Sequence, residues 1–282
     1  MPSTGELLYP QRSWDEAAWR LPDGEATGIR AYRGFRFDQR SLRADRPVPS
    51  PRVSVVLLCG GPGEGIEVAL EPWAAYTLFG SPRNDRLPVP WLRAATGELR
   101  GIGEWRRRFV LLHSILRRRL AAGPPSAPAV RRAWHTLADT GGTVSMTCLA
   151  RAAGSSERQL ERRFRQQIGI PPKVAARLFR FRTALRLLSE GKATAEVAAF
   201  CGFCDQGHLS REFTAMTGLS ICRFFTRRRD STPPLRIGAD GRADGLVVPA
   251  GHGMAAFSKT DTTGIEQSVP RAGENTSPGR IR

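Results

Sequence analysis

The chain has 282 residues and carries 43 Lys and Arg against 26 Asp and Glu, a formal net charge of +17. A surplus of that size implies a polyanionic partner, and nucleic acid before membrane: no amphipathic anchor accompanies the charge, and the longest apolar run, residues 53–59, is too short to span a bilayer. The polar start, with Trp14, Asp15 and Glu16 where a signal peptide would be apolar, predicts a cytoplasmic protein, and five cysteines, an odd number, predict reduced thiols rather than a disulfide framework.

Residues 1–125 read as a small mixed β/α domain. Ile29, Ala31, Arg33, Phe35 and Phe37 alternate with mostly polar neighbours, residues 53–59 form a more buried apolar run, and Ile66, Val68 and Leu70 alternate again, which predicts three short strands and a thin sheet. The glycines between positions 60 and 65 predict a hairpin turn. A phosphate loop would need a Lys and a Ser or Thr after it and would lead into a helix, not a strand. Pro72 opens a short helix through Trp73, Tyr76 and Phe79. A longer helix over residues 104–120 follows from Trp105, Phe109, Leu112, Leu116 and Leu120, with Arg106, Arg107, Arg108, Arg117, Arg118 and Arg119 on its solvent side. Cys59 and His113 are the one nucleophile–base combination in this domain and have no third partner. Trp73, Tyr76, Trp91 and Trp105 read as aromatic core, with a ligand pocket as the alternative.

Gly123, Pro124, Pro125, Ser126 and Pro128 signal a linker, so a second domain is placed at 126–229. Its first helix holds Val130, Ala133, Trp134 and Leu137 and ends at Gly141 and Gly142. One pattern then occurs twice. Ala150, Gly154, Leu160, Phe164 and Gly169 are followed by Ala198, Gly202, Leu209, Phe213 and Gly218, 48 residues later up to the second glycine turn and 49 after it. Each copy is written as a helix-turn-helix. A small Ala lets two helices approach, a Gly ends the first where φ > 0, and a cap (Ser156 or Asp205) starts the second, with Ser145 capping the first helix of the first copy. Leu and Phe four apart turn one face inward, so Arg158, Gln159 and Arg162 in one copy and Gln206, His208 and Arg211 in the other point outward. Pro171 and Pro172 start a connecting helix that runs to about position 188, with Leu178, Phe181, Leu185 and Leu188 as its apolar stripe and Arg177, Arg180, Arg182 and Arg186 around it. The segment 143–229 carries 16 basic and 6 acidic residues, +10 net. Residues 230–282, rich in Gly, Pro, Ser and Thr, cannot bury a core and are predicted to be disordered.

The fold class is therefore α+β, a small mixed domain followed by an all-α tandem helix-turn-helix domain. The outward residues suit base edges, Arg to guanine O6 and N7 and Gln to adenine N6 and N7. A connecting helix of roughly 25 Å at 1.5 Å per residue can hold two such helices about one DNA turn apart, roughly 34 Å. Cys201 and Cys204 form a C-x-x-C with His208 four residues on, but a second ligand pair is missing, so no metal and no cofactor is expected.

Residues 145–224 resemble the DNA-binding domain of AraC/XylS-type transcription regulators. The resemblance is carried by Leu149 and Ala150, Gly154, the run from Ser156 to Phe164, Gly169, the stretch 180–188, and the run from Gly202 to Phe213. Residues 1–125 are weakly similar to sensor-like domains that precede this module, with the stretch between Cys59 and Ile66 short against that pattern. The resemblance implies a sequence-specific regulator that is not an enzyme, with double-stranded DNA as partner. It leaves room for a small-molecule effector, a contact with RNA polymerase and a homodimer, and gives the first domain a sensing or dimerising role. Two departures stand out: Ile221 where the family has Pro, and Gly207 inside the second recognition helix, which removes one base-reading side chain and makes the second reader weaker or narrower in specificity. Two other readings stay open. In one, the module targets an enzyme of DNA-repair kind, which needs a reactive thiolate such as Cys59. In the other, the chain binds DNA without any ligand.

Overall fold

The computed structural model describes residues 7–8, 15–21, 24–36, 49–59, 64–81 and 90–229. The predicted disordered segment 230–282, Phe37 of the first predicted strand and residues 60–63 of the predicted hairpin turn lie outside the described residues.

Five antiparallel strands form one sheet: β1 (Leu7–Leu8), β2 (Asp15–Arg20), β3 (Ile29–Arg36), β4 (Val53–Leu58) and β5 (Glu64–Leu70), in the order β1-β2-β3-β5-β4. The three predicted strands are β3, β4 and β5. The expectation of a three-stranded sheet is corrected by β1 and β2. In β2 the buried residues Ala17 and Trp19 alternate and lead on to Leu21, a period-2 signal set among charged neighbours. β4 and β5 pair as a hairpin, Leu58 opposite Gly65, and the amide of Cys59 donates to the carbonyl of Glu64 at 3.2 Å. β5 lies between β3 and β4, and every residue from Gly65 to Leu70 is buried.

A one-turn helix, α1 (Gly24–Thr27), links β2 to β3, and three helices follow the sheet: α2 (Pro72–Phe79), α3 (Pro90–Arg100) and α4 (Trp105–Ala122). The sequence reading had no counterpart of α3, whose buried residues are only Ala95 and Leu99. α4 lays Trp105, Phe109, Leu112 and Leu116 against Tyr32, Val55, Ile66 and Val68 of the sheet. Burial of this kind stabilises by about 25 cal/mol per Å² of apolar surface. One arginine of α4 departs from the expected solvent face. Arg108 is buried, its guanidinium on Glu64 and on the carbonyl of Ile102 and stacked 4.7 Å over the Trp105 ring. The first turn of α4 runs across the sheet end, so the residue that should meet water meets a carboxylate instead. Partial burial pushes the Glu64 carboxyl up, but Arg108 and Arg36 outweigh it and hold it below the usual carboxylate range.

The remaining helices are α5 (Pro128–Asp139), α6 (Met146–Ala152), α7 (Glu157–Gln167), α8 (Pro172–Ser189), α9 (Thr194–Phe200), α10 (Gln206–Thr217) and α11 (Ile221–Arg229). Their main core unites Val130, Trp134, Leu149, Leu160, Phe164 and Phe181 with Phe213 and Phe224, and it takes in Trp73 and Ala74 from α2. A smaller core gathers Ala184, Val197, Ala198, Phe203 and Leu209. Packing is thus continuous across the Gly-Pro stretch at 123–128. The main polar tie across it is Glu71, the buried residue before α2. One carboxylate oxygen accepts from Arg30 Nε at 2.6 Å and the other from Trp134 Nε1 at 2.6 Å. Arg131 lies 4.5 Å over the ring of Trp73 beside it.

Glu71→Ala strips the acceptor from the buried indole N–H of Trp134 and the carboxylate from Arg30. Loss of one partner in a buried, hydrogen-bonded ion pair costs about 3–5 kcal/mol. Trp134→Phe keeps the ring and loses one hydrogen bond, a cost of about 1–3 kcal/mol. Urea unfolding is expected to rank the midpoints wild type, Trp134→Phe, Glu71→Ala, from highest to lowest.

Candidate nucleic-acid interface

The two copies of the repeat fold alike, down to single hydrogen bonds. In the first, α6 ends at Ala152, Gly154 takes φ +64°, and the amide of Ser155 donates back to Ala150 at 3.0 Å. In the second, α9 ends at Phe200, Gly202 takes φ +69°, and Phe203 donates back to Ala198 at 2.9 Å. A left-handed residue at each turn reverses the chain, and glycine accepts it without a Cβ penalty. The caps are also as expected. Ser145 accepts from the amide of Cys148 at 3.2 Å, Ser156 from Gln159 at 3.3 Å, and Asp205 from His208 at 2.5 Å. Ile221, in the place of the family's Pro, is the first residue of α11 and packs partly buried against both helical cores.

The repeat reaches further back than the sequence reading had it. Arg132 of α5 sends Nη2 to the carbonyl of Ala153 at 2.7 Å, and Arg180 of α8, 48 residues later, sends Nη1 to Gly202 at 3.4 Å. Each turn is therefore held by an arginine from the helix in front of it, so the unit is three helices: α5-α6-α7 and α8-α9-α10. The same 48-residue offset relates the buried pairs Val130 and Leu178, Ala133 and Phe181, and Leu137 and Leu185. That alignment was the signal available in the sequence.

α7 buries Leu160 and Phe164 and leaves Arg158, Gln159 and Arg162 exposed. Neither Arg158 nor Arg162 has a hydrogen bond or ion pair among the described residues, so both guanidiniums carry an unneutralised charge one helical turn apart. Gln159 faces the hydroxyl of Ser155 at 3.5 Å. Thr147 donates to Glu157 at 2.7 Å and fixes the start of α7 on α6.

α10 buries Leu209 and Phe213 and exposes Gln206 and Arg211. His208 is half-buried. Its ring packs edge-on to Phe203 at 5.3 Å, and its Nδ1 accepts from the amide of Cys204 at 3.3 Å. The imidazole thereby closes the turn, and the ring nitrogen left to face a partner is Nε2, as a donor. Gly207 has a specific neighbour. A Cβ there would stand 3.3 Å from Nη1 of Arg211 and 3.1 Å from Oδ1 of Asp205. The guanidinium of Arg211 thus lies back over the glycine, beside the place matching Arg158. Arg177 on α8 grips Glu212 with two prongs, Nε and Nη2 each 3.1 Å from a carboxylate oxygen, and so fixes α10 on the connecting helix.

The cysteines are placed unlike a metal centre. Cys201 is buried and burial pushes its thiol up to about 11, whereas Cys204 is exposed and Nδ1 of His208 is engaged by an amide. No group of three or more metal-binding side chains occurs among the described residues. Cys59 is fully buried, and burial raises its thiol above the ordinary value against the pull of Arg108. His113 exchanges its hydrogen bond with the hydroxyl of Tyr32 at 3.0 Å. A buried thiol kept protonated is a poor nucleophile. No helix among the described residues is long and apolar enough to cross a membrane.

Residues 149–227 match the model of a helix-turn-helix domain family. Among solved structures, a transcriptional regulator with an AraC-type DNA-binding domain from Chromobacterium violaceum is 25% identical, over 36% of this chain and 94% of that one, with a TM-score of 0.34. A probable AraC family transcriptional regulator from Rhodopseudomonas palustris is 26% identical over 36% of this chain and 97% of its own, with a TM-score of 0.33. ToxT from Vibrio cholerae is 11% identical over 57% of this chain and 68% of its own, with a TM-score of 0.35. A search of curated proteins gives no match. Residues 149–227, within the helical part of the described chain, are thus a helix-turn-helix domain.

A thiol-reactive dye should label Cys148, Cys204 and Cys222, which are exposed, in the native protein, and Cys59 and Cys201 only on unfolding. In the folded protein burial raises both thiols, so their native labelling should stay slow even near pH 9. Rapid native labelling of Cys59, followed by peptide mapping, would restore the enzyme reading.

Proposed function

We propose that the protein is a sequence-specific transcription regulator that lays α7 and α10 into successive major grooves of DNA, with Arg158, Gln159 and Arg162 reading one half of the site and Gln206, His208 and Arg211 the other. The observation that carries this reading is the pair of capped helices in which the matching residues Arg162 and Arg211, 49 positions apart, are both exposed arginines. Arg and Gln are the side chains that make two-pronged bonds to guanine and adenine edges. The double grip of Arg177 on Glu212 supports a fixed spacing between the readers, because it removes a hinge between α8 and α10. The lean of Arg211 over Gly207 supports a second reader that keeps an arginine near the end of its helix. In this reading the sheet domain senses or dimerises, α1 to α4 and the strands forming a body packed onto the module through α2. A contact with RNA polymerase fits the same class of protein.

The first test is salt. If about six phosphates are neutralised, log K falls with log[salt] at a slope near −5. A slope near zero in a fluorescence-anisotropy titration contradicts the reading.

The second test is a base-by-base affinity scan on a site selected from random DNA. Losing a two-pronged base contact costs about 1–3 kcal/mol at its own base pair. Arg162→Ala and Arg211→Ala should each lose discrimination at one position, the two lying about one helical turn apart. Gly207→Ala asks the Arg211 guanidinium to give by only a few tenths of an ångström and should weaken discrimination at that position less than Arg211→Ala does, leaving the other half unchanged. Uniform weakening on all sequences would make these arginines phosphate contacts only.

A further inference from the structure

α4 turns Phe109, Leu112 and Leu116 toward the sheet and a basic face toward solvent. Arg106 and Arg107 stand in its first turn, and Arg117 and Arg118 follow eleven residues on. Eleven residues make three turns, so the two pairs share one face, roughly 16 Å apart along the axis. All four are exposed, and between the pairs the exposed residues are only Val110 and Ser114. Residues 90–122, covering α3 and α4, hold eight arginines against Glu98 and Glu104. That is +6 net in 33 residues, against the +10 spread over residues 143–229.

Folding does not account for these charges. Arg106, Arg117 and Arg118 have no hydrogen bond or ion pair among the described residues, and Arg107 meets the exposed Glu104 at 2.9 Å. Cations in a first turn oppose the helix dipole, and no acidic residue in that turn offsets them. Position ties the face to the readers. α2 packs on α4 and on α7, and Leu120 near the end of α4 touches both the sheet core and the helical core. Packed helices lie about 8–10 Å apart, so with one helix between them the axes of α4 and α7 pass within about 20 Å of each other. Half a turn of DNA is roughly 17 Å, a comparable span.

The chemistry of the face selects among polyanions. A lipid surface takes up an amphipathic helix by its apolar side, and that side of α4 is buried on the sheet. A second copy of the chain would set the same four charges against their own image. A row of phosphates suits guanidiniums, which bond phosphate oxygens in pairs, and the small side chains between the two pairs let a rigid backbone approach. We propose that the outer face of α4 is a third DNA contact, in which Arg106, Arg107, Arg117 and Arg118 hold backbone phosphates of the duplex flanking the half-site under α7. Such a contact adds affinity and fixes register without reading bases. It rests on the DNA reading above and gives the sheet domain a direct part in holding the duplex.

The test measures the salt slope of the full-length protein by fluorescence anisotropy on three duplexes. One is the bare selected site, and the others add one helical turn, about 10 base pairs, beyond the α7 half or beyond the α10 half. The half at which Arg162→Ala acts marks the α7 side. Three further phosphates at about 0.9 each should steepen the slope by about 2–3 on the α7-flanked duplex and raise affinity there at least about tenfold near 0.1 M salt. The α10-flanked duplex should bind like the bare site. The variant carrying Arg106→Gln, Arg107→Gln, Arg117→Gln and Arg118→Gln should lose the gain and match the wild type on the bare site. Circular dichroism checks its fold, and the flank comparison in the wild type stands without it. The proposal fails if neither flank changes the wild-type slope, if both flanks change it equally, or if the variant is weakened alike on all three duplexes. Binding to phosphatidylglycerol vesicles that the variant loses, with no flank effect on DNA, would make the face a lipid contact and overturn the proposal. A wild type with no salt-dependent affinity for any duplex removes the function proposed above and this contact with it. Tight, salt-dependent binding that ignores the flanks removes this contact alone.

Discussion

The buried carboxylate of Glu71 is the point on which the arrangement of the two halves depends. It stands between β5 and α2, accepts from Arg30 on its own side and from the indole of Trp134 on the other. A buried charge is tolerated only when its lone pairs are met, and here the partners come from residues 41 and 63 positions away in sequence. Such a pair adds little net stability compared with an apolar substitute. Its effect is to make other placements of α5 against the sheet costly, because any of them would leave the carboxylate unpaired. Trp73, two residues on, shows the contrast: its ring fills the helical core and carries Arg131, while its buried indole N–H has no hydrogen-bond partner among the described residues.

Around that joint the two halves obey different rules. The sheet domain is built from long-range pairings, strand on strand and α4 across them. The helical module is built from a local unit used twice, and each unit sets its own turn with one glycine, one cap and one arginine from the preceding helix. The units are not equal in their packing. The first lies in the main core beside Trp73 and Ala74, whereas the second divides: Phe181, Leu185 and Phe213 join that core, and Ala184, Val197 and Leu209 form a smaller one, with the Arg177–Glu212 grip fixing α10 on α8.

What the sequence made legible follows the same division. The repeated turns, the caps, the inward Leu and Phe pairs and the outward polar side chains depend on residues within a dozen positions of one another, and pattern reading reaches that far. The extension of the repeat to Arg132 and Arg180 was obscured because the helices bearing them differ in bulk, Ala133 against Phe181 and Trp134 against Arg182. Local pattern also recovered β3, β4 and β5. It lost β2, whose Ala17 and Trp19 alternate beneath acidic neighbours, and β1, which at two residues carries no period at all. Arg108 and Glu71 are the instructive cases. Both are charged, both are buried, and nothing near them in the chain announces the partner that makes burial tolerable. The role of Arg211 is of the same kind, since only the folded helix shows its guanidinium lying over Gly207.

The inequality of α7 and α10 has a meaning for the partner as well. One helix offers two outward arginines and a glutamine; the other offers an arginine, a glutamine and a half-buried imidazole engaged at one nitrogen. Under the proposed reading, no stretch of DNA that satisfies both helices can look the same from its two ends. The recognised sequence is an arrow and not a palindrome, and the bound protein faces one way along the chromosome. Whatever the sheet domain presents is then always carried on the same flank of the site, so turning the site around relocates that domain to the other side of its gene.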